Sequence, residues 1–373
     1  MPEPTAVLIA AASGRALAAS ARRGGYVPLV ADFFGDQDTV ATAHAHVRLP
    51  DGLAHGMRCD AVLAALERLA TARAPAGIVC GTGFEDRPEL IGAIARRWRL
   101  FGNGADAVAR AKDPLAFARL CRDCGIPHPD LSLAVPADPS GWLVKRKGGA
   151  GGRHIRAAID VDAAAGTFYF QRRRAGQPVA ALILADGRRA VVLGFSAQWS
   201  SPTPRQPFRY GGAVQPAPLA RAAESAMIEA VQRLVPVMSL VGLNSADFLV
   251  DEGGIQLLEI NPRPGATLDI FESNEDSLFA MHIAACEGIL PAQAPSFEQA
   301  RASAIVYAER DVAAFPALDW PAWTADRPEA GSSVAKGDPL CTVFGCAASA
   351  ASAQALAQRR AAMILATTSA SLA

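Results

Sequence analysis

The feature that most constrains the fold is a glycine-rich loop with a strand on each side. Residues 142–158 read WLVKRKGGAGGRHIRAA, with Gly148, Gly149, Gly151 and Gly152 between WLVKRK and HIRAA, both of which read as strand. Glycine lets backbone N–H groups approach an anion without a blocking Cβ, so such a run suits a phosphate. In the dinucleotide fingerprint and in the P-loop, however, the glycines lead from a strand into a helix. Strands on both sides instead predict a hairpin that folds over a nucleotide as a flap, with Lys145 pointing from its first strand. Taken alone, the loop reads better as a plain glycine-rich hairpin than as a nucleotide flap.

A second constraint is IQLLEINPRP, residues 255–264, paired through the turn DEGG with ADFLV, residues 246–250. Alternation puts Glu259 and Asn261 on one face of the second strand, and Asp247 lies on its partner. Two carboxylates and an amide oxygen at a strand end suit Mg2+, which binds a few protein oxygens together with substrate phosphates. If Val250 paired with Ile255 without irregularity, Asp247 would face Leu258 and point away from Glu259. A one-residue slip is therefore expected, and we place it at Gly253 and Gly254.

Elsewhere the pattern is simpler. Residues 1–104 alternate strand and helix like a doubly wound parallel sheet, with Glu85 of GTGFE at a strand end, where it serves either a ligand or a solvated loop. TFYFQRRRAGQPVAALILADGRRAVVLGF reads as antiparallel strands, in which Arg172, Arg173 and Arg174 form a solvated face. SSPTPRQPFRYGGAVQP reads as a long loop, and RAAESAMIEAVQRLV as a helix. Cys121 and Cys124 form a C-x-x-C near His128. No second pair follows at zinc-site spacing, so they read as core thiols.

Over 373 residues, 36 basic groups balance 36 acidic ones. This gives no electrostatic footprint for nucleic acid or an anionic membrane. The N-terminal apolar run is too short for a membrane span and lacks a basic flank. Seven scattered cysteines fit a reducing compartment. A cytoplasmic protein with small-molecule partners is expected, and the reading allows a homodimer.

The order of Lys112 in RAKDP, Lys145 with its glycine flap, Gln171, Asp247 and LLEINPR resembles the ATP-grasp superfamily of ligases. Residues 1–104 resemble its preceding αβ domain. Residues 105–295 would be the ATP-grasp domain, and 296–373 a small β-rich C-terminal domain with an Ala/Ser-rich tail, as in the biotin-carboxylase-like branch. The implied fold is mixed α/β and α+β, and the implied cofactors are ATP and Mg2+. By this resemblance Lys112 and Lys145 contact phosphates beneath Gly148, Gly149, Gly151 and Gly152, and adenine lies at Gln171. Asp247, Glu259 and Asn261 hold the metal, and Arg263 acts with Lys145 in catalysis. Where the family often has an acidic residue for the ribose, this chain has Pro178, so the ribose contact is unassigned.

The implied reaction joins a carboxylic acid to an amine through an acylphosphate, releasing ADP and phosphate. A bicarbonate-activating carboxylase type and a non-catalytic nucleotide-binding regulator are the alternatives. GTGFE and FRYGG further resemble ATP-grasp proteins that accompany pterin- or furan-linked one-carbon metabolism, which points to glutamate or a similar amino acid as substrate and puts Glu85 and Arg209 near it.

Overall fold

The computed structural model describes residues 4–50, 52–160, 167–273 and 277–371. Strands β1 (Ala6–Ala10), β2 (Val27–Asp32), β3 (Ala45–Arg48) and β4 (Ile78–Cys80) form a parallel sheet in the order β3-β2-β1-β4. The order reverses at β1, so the loops after β1 and β4 open at one crevice, where a doubly wound sheet receives ligands. Glu85 follows β4 and is 5% exposed in that crevice.

A second, antiparallel sheet carries the flap. It comprises β5 (Leu131–Ser132), β6 (Trp142–Arg146), β7 (Ile155–Ala157) and β8 (Phe168–Arg172), in the order β5-β8-β6-β7. The strands on either side of the glycine run thus pair as the sequence predicts.

The third sheet has eight strands. β9 (Gln177–Asp186), β10 (Ala190–Ser200), β11 (Tyr210–Gln215), β12 (Val241–Asp251), β13 (Gly254–Asn261), β14 (Ala300–Tyr307), β15 (Thr324–Ala325) and β16 (Pro339–Ala347) lie in the order β13-β12-β9-β10-β11-β14-β16-β15. Two results differ from the sequence reading. The segment read as a long loop from 200 to 216 is loop only as far as Arg209, after which Tyr210–Gln215 pairs with both β10 and β14. The Ala/Ser-rich tail contains a helix, Ala350–Ser371, packed on the sheet through Ala353, Ala357 and Ile364.

The large sheet is covered on both faces. On one lie helix Arg221–Met238 and the C-terminal helix, over Ile183, Val214, Phe248 and Ile260. On the other, Leu182, Leu184 and Leu243 share a core with Val7, Ile9 and Ala18 of the first sheet and with Phe271 and Phe279. The two sheets are thereby locked through apolar burial, which fixes the crevice of the first against the end of β13. Among the described residues no helix is long and apolar enough to cross a membrane.

Candidate active site

Pairing between β12 and β13 brings the acidic cluster together. Val250 pairs with Ile255 and Asp251 with Gly254, so the turn is regular. The expected slip occurs further along, where Phe248 pairs with Leu257 and Asp247 with Glu259, leaving Leu258 as an extra residue. The location predicted at Gly253 and Gly254 is therefore wrong, although the purpose is met. A bulge re-aims side chains where pairing otherwise continues, and here it turns Asp247 and Glu259 to the same side. Asn261 Nδ2 lies 3.0 Å from Asp247 Oδ2 and 3.5 Å from Glu259 Oε1. Gln198 of β10 reaches across the small Ala180 of β9 and donates to Asp247 Oδ1 at 3.2 Å.

Lys112 ends the helix Ala105–Lys112. The Pro after Asp113 disfavours helical geometry at that residue, so the chain breaks there and Asp113 caps the next helix through Ala116 N. The break leaves Lys112 Nζ 2.7 Å from Asn261 Oδ1 and 3.4 Å from Glu259 Oε2. Lys145 is 8% exposed, and among the described residues its ammonium has no hydrogen-bond or ion-pair partner. Burial lowers its pKa, while Glu259 and Asp247 work in the opposite direction.

The carboxyls respond to these charges as a coupled pair. Burial, with Glu259 beside it, pushes Asp247 up into the neutral range. Burial acts the same way on Glu259, but Lys112 and Lys145 outweigh it and hold that group ionised. Glu259 keeps 41% of its side-chain surface and lines a cleft beneath the flap. The cleft is lined by Lys112, Gly148, Gly149, His154 and Glu259 together with Phe117, His128, Leu131 and Gln171. Gln171 Nε2 is 3.5 Å from His128 Nε2, and burial lowers the His128 pKa to about 4, so that ring is neutral.

The flap is closed over this cleft. Tyr210 N donates to Gly151 O at 3.0 Å, and a Cβ on Gly152, which has φ +70°, would come within 1.9 Å of the Phe208 carbonyl oxygen. Gly149 is required for another reason: a Cβ there would lie 2.3 Å from the His154 ring. The loop is thus held by close packing at Gly148, Gly149 and Gly152, while Ala150 and Gly151 are exposed.

Other sequence candidates fall around the cluster. Arg263 Nη2 meets Glu85 Oε1 at 2.6 Å, joining the loop after β13 to the crevice of the first sheet. Glu85 also accepts from Gly83 N, and its pKa is lowered because Arg263 and Lys112 outweigh burial. Arg209 lies beyond the flap, bonded to Ser201 O at 2.9 Å and stacked on Tyr307 at 3.7 Å. Arg172, Arg173 and Arg174 are exposed. Cys121 is buried, and burial pushes its pKa up to about 12, as for a core thiol. Sequence reasoning missed Gln198, His154 and Tyr169, the last of which also lines the cleft, and it noted His128 only beside the cysteines. His154 directly follows the glycine run, which is the signal that could have found it.

Residues 111–267 match the family model of the ATP-grasp domain. No curated protein matches the sequence. The biotin carboxylase of Campylobacter jejuni, solved as a βγ-ATP complex, superposes with a TM-score of 0.70 at 16% identity, covering 92% of this chain and 87% of that one. An L-amino acid ligase from Bacillus licheniformis gives 0.70 at 14% identity over 96% and 97% of the two chains. The ADP complex of an N5-carboxyaminoimidazole ribonucleotide synthetase gives 0.71 at 14% over 96% of each. The chain thus carries an ATP-grasp domain and has the ATP-grasp fold.

Proposed function

We propose that the protein is an ATP-dependent carboxylate–amine ligase that works through an acylphosphate. The observation that carries this reading is Lys145, 8% exposed on the strand before the glycine flap, beside the charges of Glu259 and Asp247 and without a hydrogen-bond or ion-pair partner among the described residues. An unpaired buried charge is costly, and the terminal phosphates of ATP would supply its counter-ion.

Asp247, Glu259 and Asn261 fit Mg2+, because both carboxylates already lie within 3.5 Å of a single carboxamide atom. Among the described residues no three His, Cys, Asp or Glu side chains form a metal cluster, so two carboxylates and the Asn261 carboxamide, turned to present its oxygen, would be the protein's share. When bound, the ion would draw charge from the β- and γ-phosphates.

Lys112 and Lys145 neutralise the phosphates, and the amides of the flap cover them and exclude water. A substrate carboxylate oxygen attacks the γ-phosphorus, an O–P bond forms, the bond to the β-phosphate oxygen breaks, and ADP leaves. An amine then attacks the acyl carbon, phosphate leaves, and the amine gives up a proton. Arg263, held by Glu85, is the cation placed to orient the acid. The adenine lies toward Gln171 and His128. For the substrates we extend the reading to an amino acid such as glutamate and to the assembly of a one-carbon carrier, resting on the GTGFE and FRYGG motifs.

The test offers a panel of carboxylic acids with ATP and hydroxylamine. The expected outcome is a hydroxamate with ADP and phosphate, and a collapse of turnover in Glu259→Gln with the fold intact. AMP with pyrophosphate, or full activity in Glu259→Gln, would overturn the reading. ATP consumption that depends on bicarbonate instead of a larger acid would favour the carboxylase alternative.

A further inference from the structure

The segment that carries Asn261 and Arg263 leaves the large sheet at β13, an edge strand, and Pro262 between them has no N–H with which to continue the pairing. It is held instead by a residue outside the site assembled above. Asn103 is 7% exposed, and its Nδ2 donates to Pro262 O at 3.0 Å, to Asn244 Oδ1 at 2.8 Å and to Val241 O at 3.1 Å. Its Oδ1 accepts from Val241 N at 3.0 Å. A backbone N–H on one side and a proline carbonyl on the other fix which way the amide points.

Asn103 lies just ahead of the helix Ala105–Lys112, so this one side chain joins the start of the element that delivers Lys112 to the carbonyl between Asn261 and Arg263. At the far end of that helix Lys112 Nζ meets Asn261 Oδ1 at 2.7 Å, and Arg263 meets Glu85. The bond to Pro262 is not needed to attach the helix to the sheet. Neighbouring Phe101 is already tied to β12 by His282, whose Nδ1 accepts from Leu243 N at 2.8 Å, leaving Nε2 to donate to Phe101 O at 3.0 Å. We infer that Asn103 is a positioning residue: it sets the spacing between Lys112 and the Asn261–Arg263 segment, and so aligns the γ-phosphate with the acid while touching neither. A misplacement of about 1 Å between reacting groups costs on the order of a hundredfold in rate, so one remote hydrogen bond of this kind has a large effect on turnover.

The inference rests on the ligase reading, and its test separates the two. Turnover of full-length protein is measured as hydroxamate with the acid that serves the wild type, and Mn2+ binding in the presence of ADP is followed by electron paramagnetic resonance. Asn103→Ala is expected to lower kcat about ten- to a hundredfold and to weaken Mn2+ about tenfold, with KM for ATP changed by less than about threefold. Asn103→Asp keeps the size and the acceptor for Val241 N but withdraws the donor from Pro262; it should show the same split and guards against collapse of the smaller variant. Asn244→Ala is the control, since it breaks the bonds of Asn244 to Asn103, Val241 O and Gly242 O and spares the one to Pro262. Its kcat should stay within about threefold of wild type. Equal losses of kcat in the Asn103 and Asn244 variants would mean that the network merely supports the fold, and unchanged kcat and Mn2+ binding in Asn103→Ala would mean that Pro262 needs no holding; either overturns the inference alone. So would failure of both Asn103 variants to fold, which would make the residue part of the core. Wild-type protein that makes no hydroxamate with any acid would overturn the ligase reading and this inference with it.

Discussion

Two buried clusters of opposite charge in this chain are built to different standards. At the junction of the first sheet with the C-terminal strands, Arg15 donates to Asp269 through Nη1 and Nη2 at 2.5 and 2.8 Å and to Asp326 through Nε and Nη2 at 3.0 and 3.1 Å. Ser13 also reaches Asp326, and its carboxyl stays below the usual range because Arg15 outweighs burial. Every charge in this junction meets its opposite. Around the acidic pair at the end of β13, by contrast, Lys145 has no partner among the described residues, Asp247 is pushed toward its neutral form, and the buried His154 Nδ1 has no hydrogen-bond partner among them. The first cluster holds parts of the chain more than 250 residues apart. The second has unmet bonding capacity that a triphosphate could satisfy. A closed network and an open one thus look alike in composition and differ in what they lack.

The sharpest way to break this comparison is to remove Arg15. Arg15→Leu leaves two carboxylates unpaired, and denaturant unfolding should show a loss of about 3–5 kcal/mol, with nucleotide affinity in the folded fraction changed by less than about twofold. A stable variant that no longer binds nucleotide would reverse the roles assigned to the two clusters.

Lys145→Met addresses the open cluster. Turnover should fall by about two to three orders of magnitude, while the midpoint of thermal unfolding stays level or rises, since an unpaired buried ammonium is gone. A large loss of stability would show that Lys145 has a structural partner after all.

The smallest effect concerns Asp36, which caps helix Gln37–Thr42 and lies near Asp326. Burial, with the Asp326 charge, raises its pKa to about 6 despite hydrogen bonds from Thr39. A raised carboxylate pKa means that the folded chain binds the proton more tightly than the unfolded one. Its contribution is present below about pH 4 and is lost as pH rises to about 6. Asp36→Asn keeps the cap and lacks the titration. Its stability relative to wild type should therefore climb by about 1–3 kcal/mol between those pH values, and unfolding series at matched salt would show a flat difference if the junction were fully neutralised.

Local patterns made much of this arrangement legible. The strands around the glycine run, the alternation of Glu259 and Asn261, and the need for a slip near Asp247 all follow from side-chain periodicity. Periodicity fixes that a bulge is required but not where, because an extra residue at Leu258 and one at Gly253 both bring Asp247 and Glu259 to one face. The helix Ala350–Ser371 is hidden by its Ala/Ser-rich composition, which reads as a tail although alanine, leucine, glutamine and arginine favour helix. Contacts such as Arg15 with Asp326, Glu85 with Arg263, or Gln198 with Asp247 join residues distant in sequence, and nothing in the local pattern of either partner announces the other.

The tether between Gly151 and Tyr210 has a kinetic consequence. For a nucleotide to pass beneath the flap, that hydrogen bond and the packing of Gly148 on Asp86 have to be broken, and ADP leaves by the same route. Opening then precedes every encounter. The observed association rate should level off with rising nucleotide concentration at the rate of that opening, and turnover should follow the gate rather than the bond-making steps.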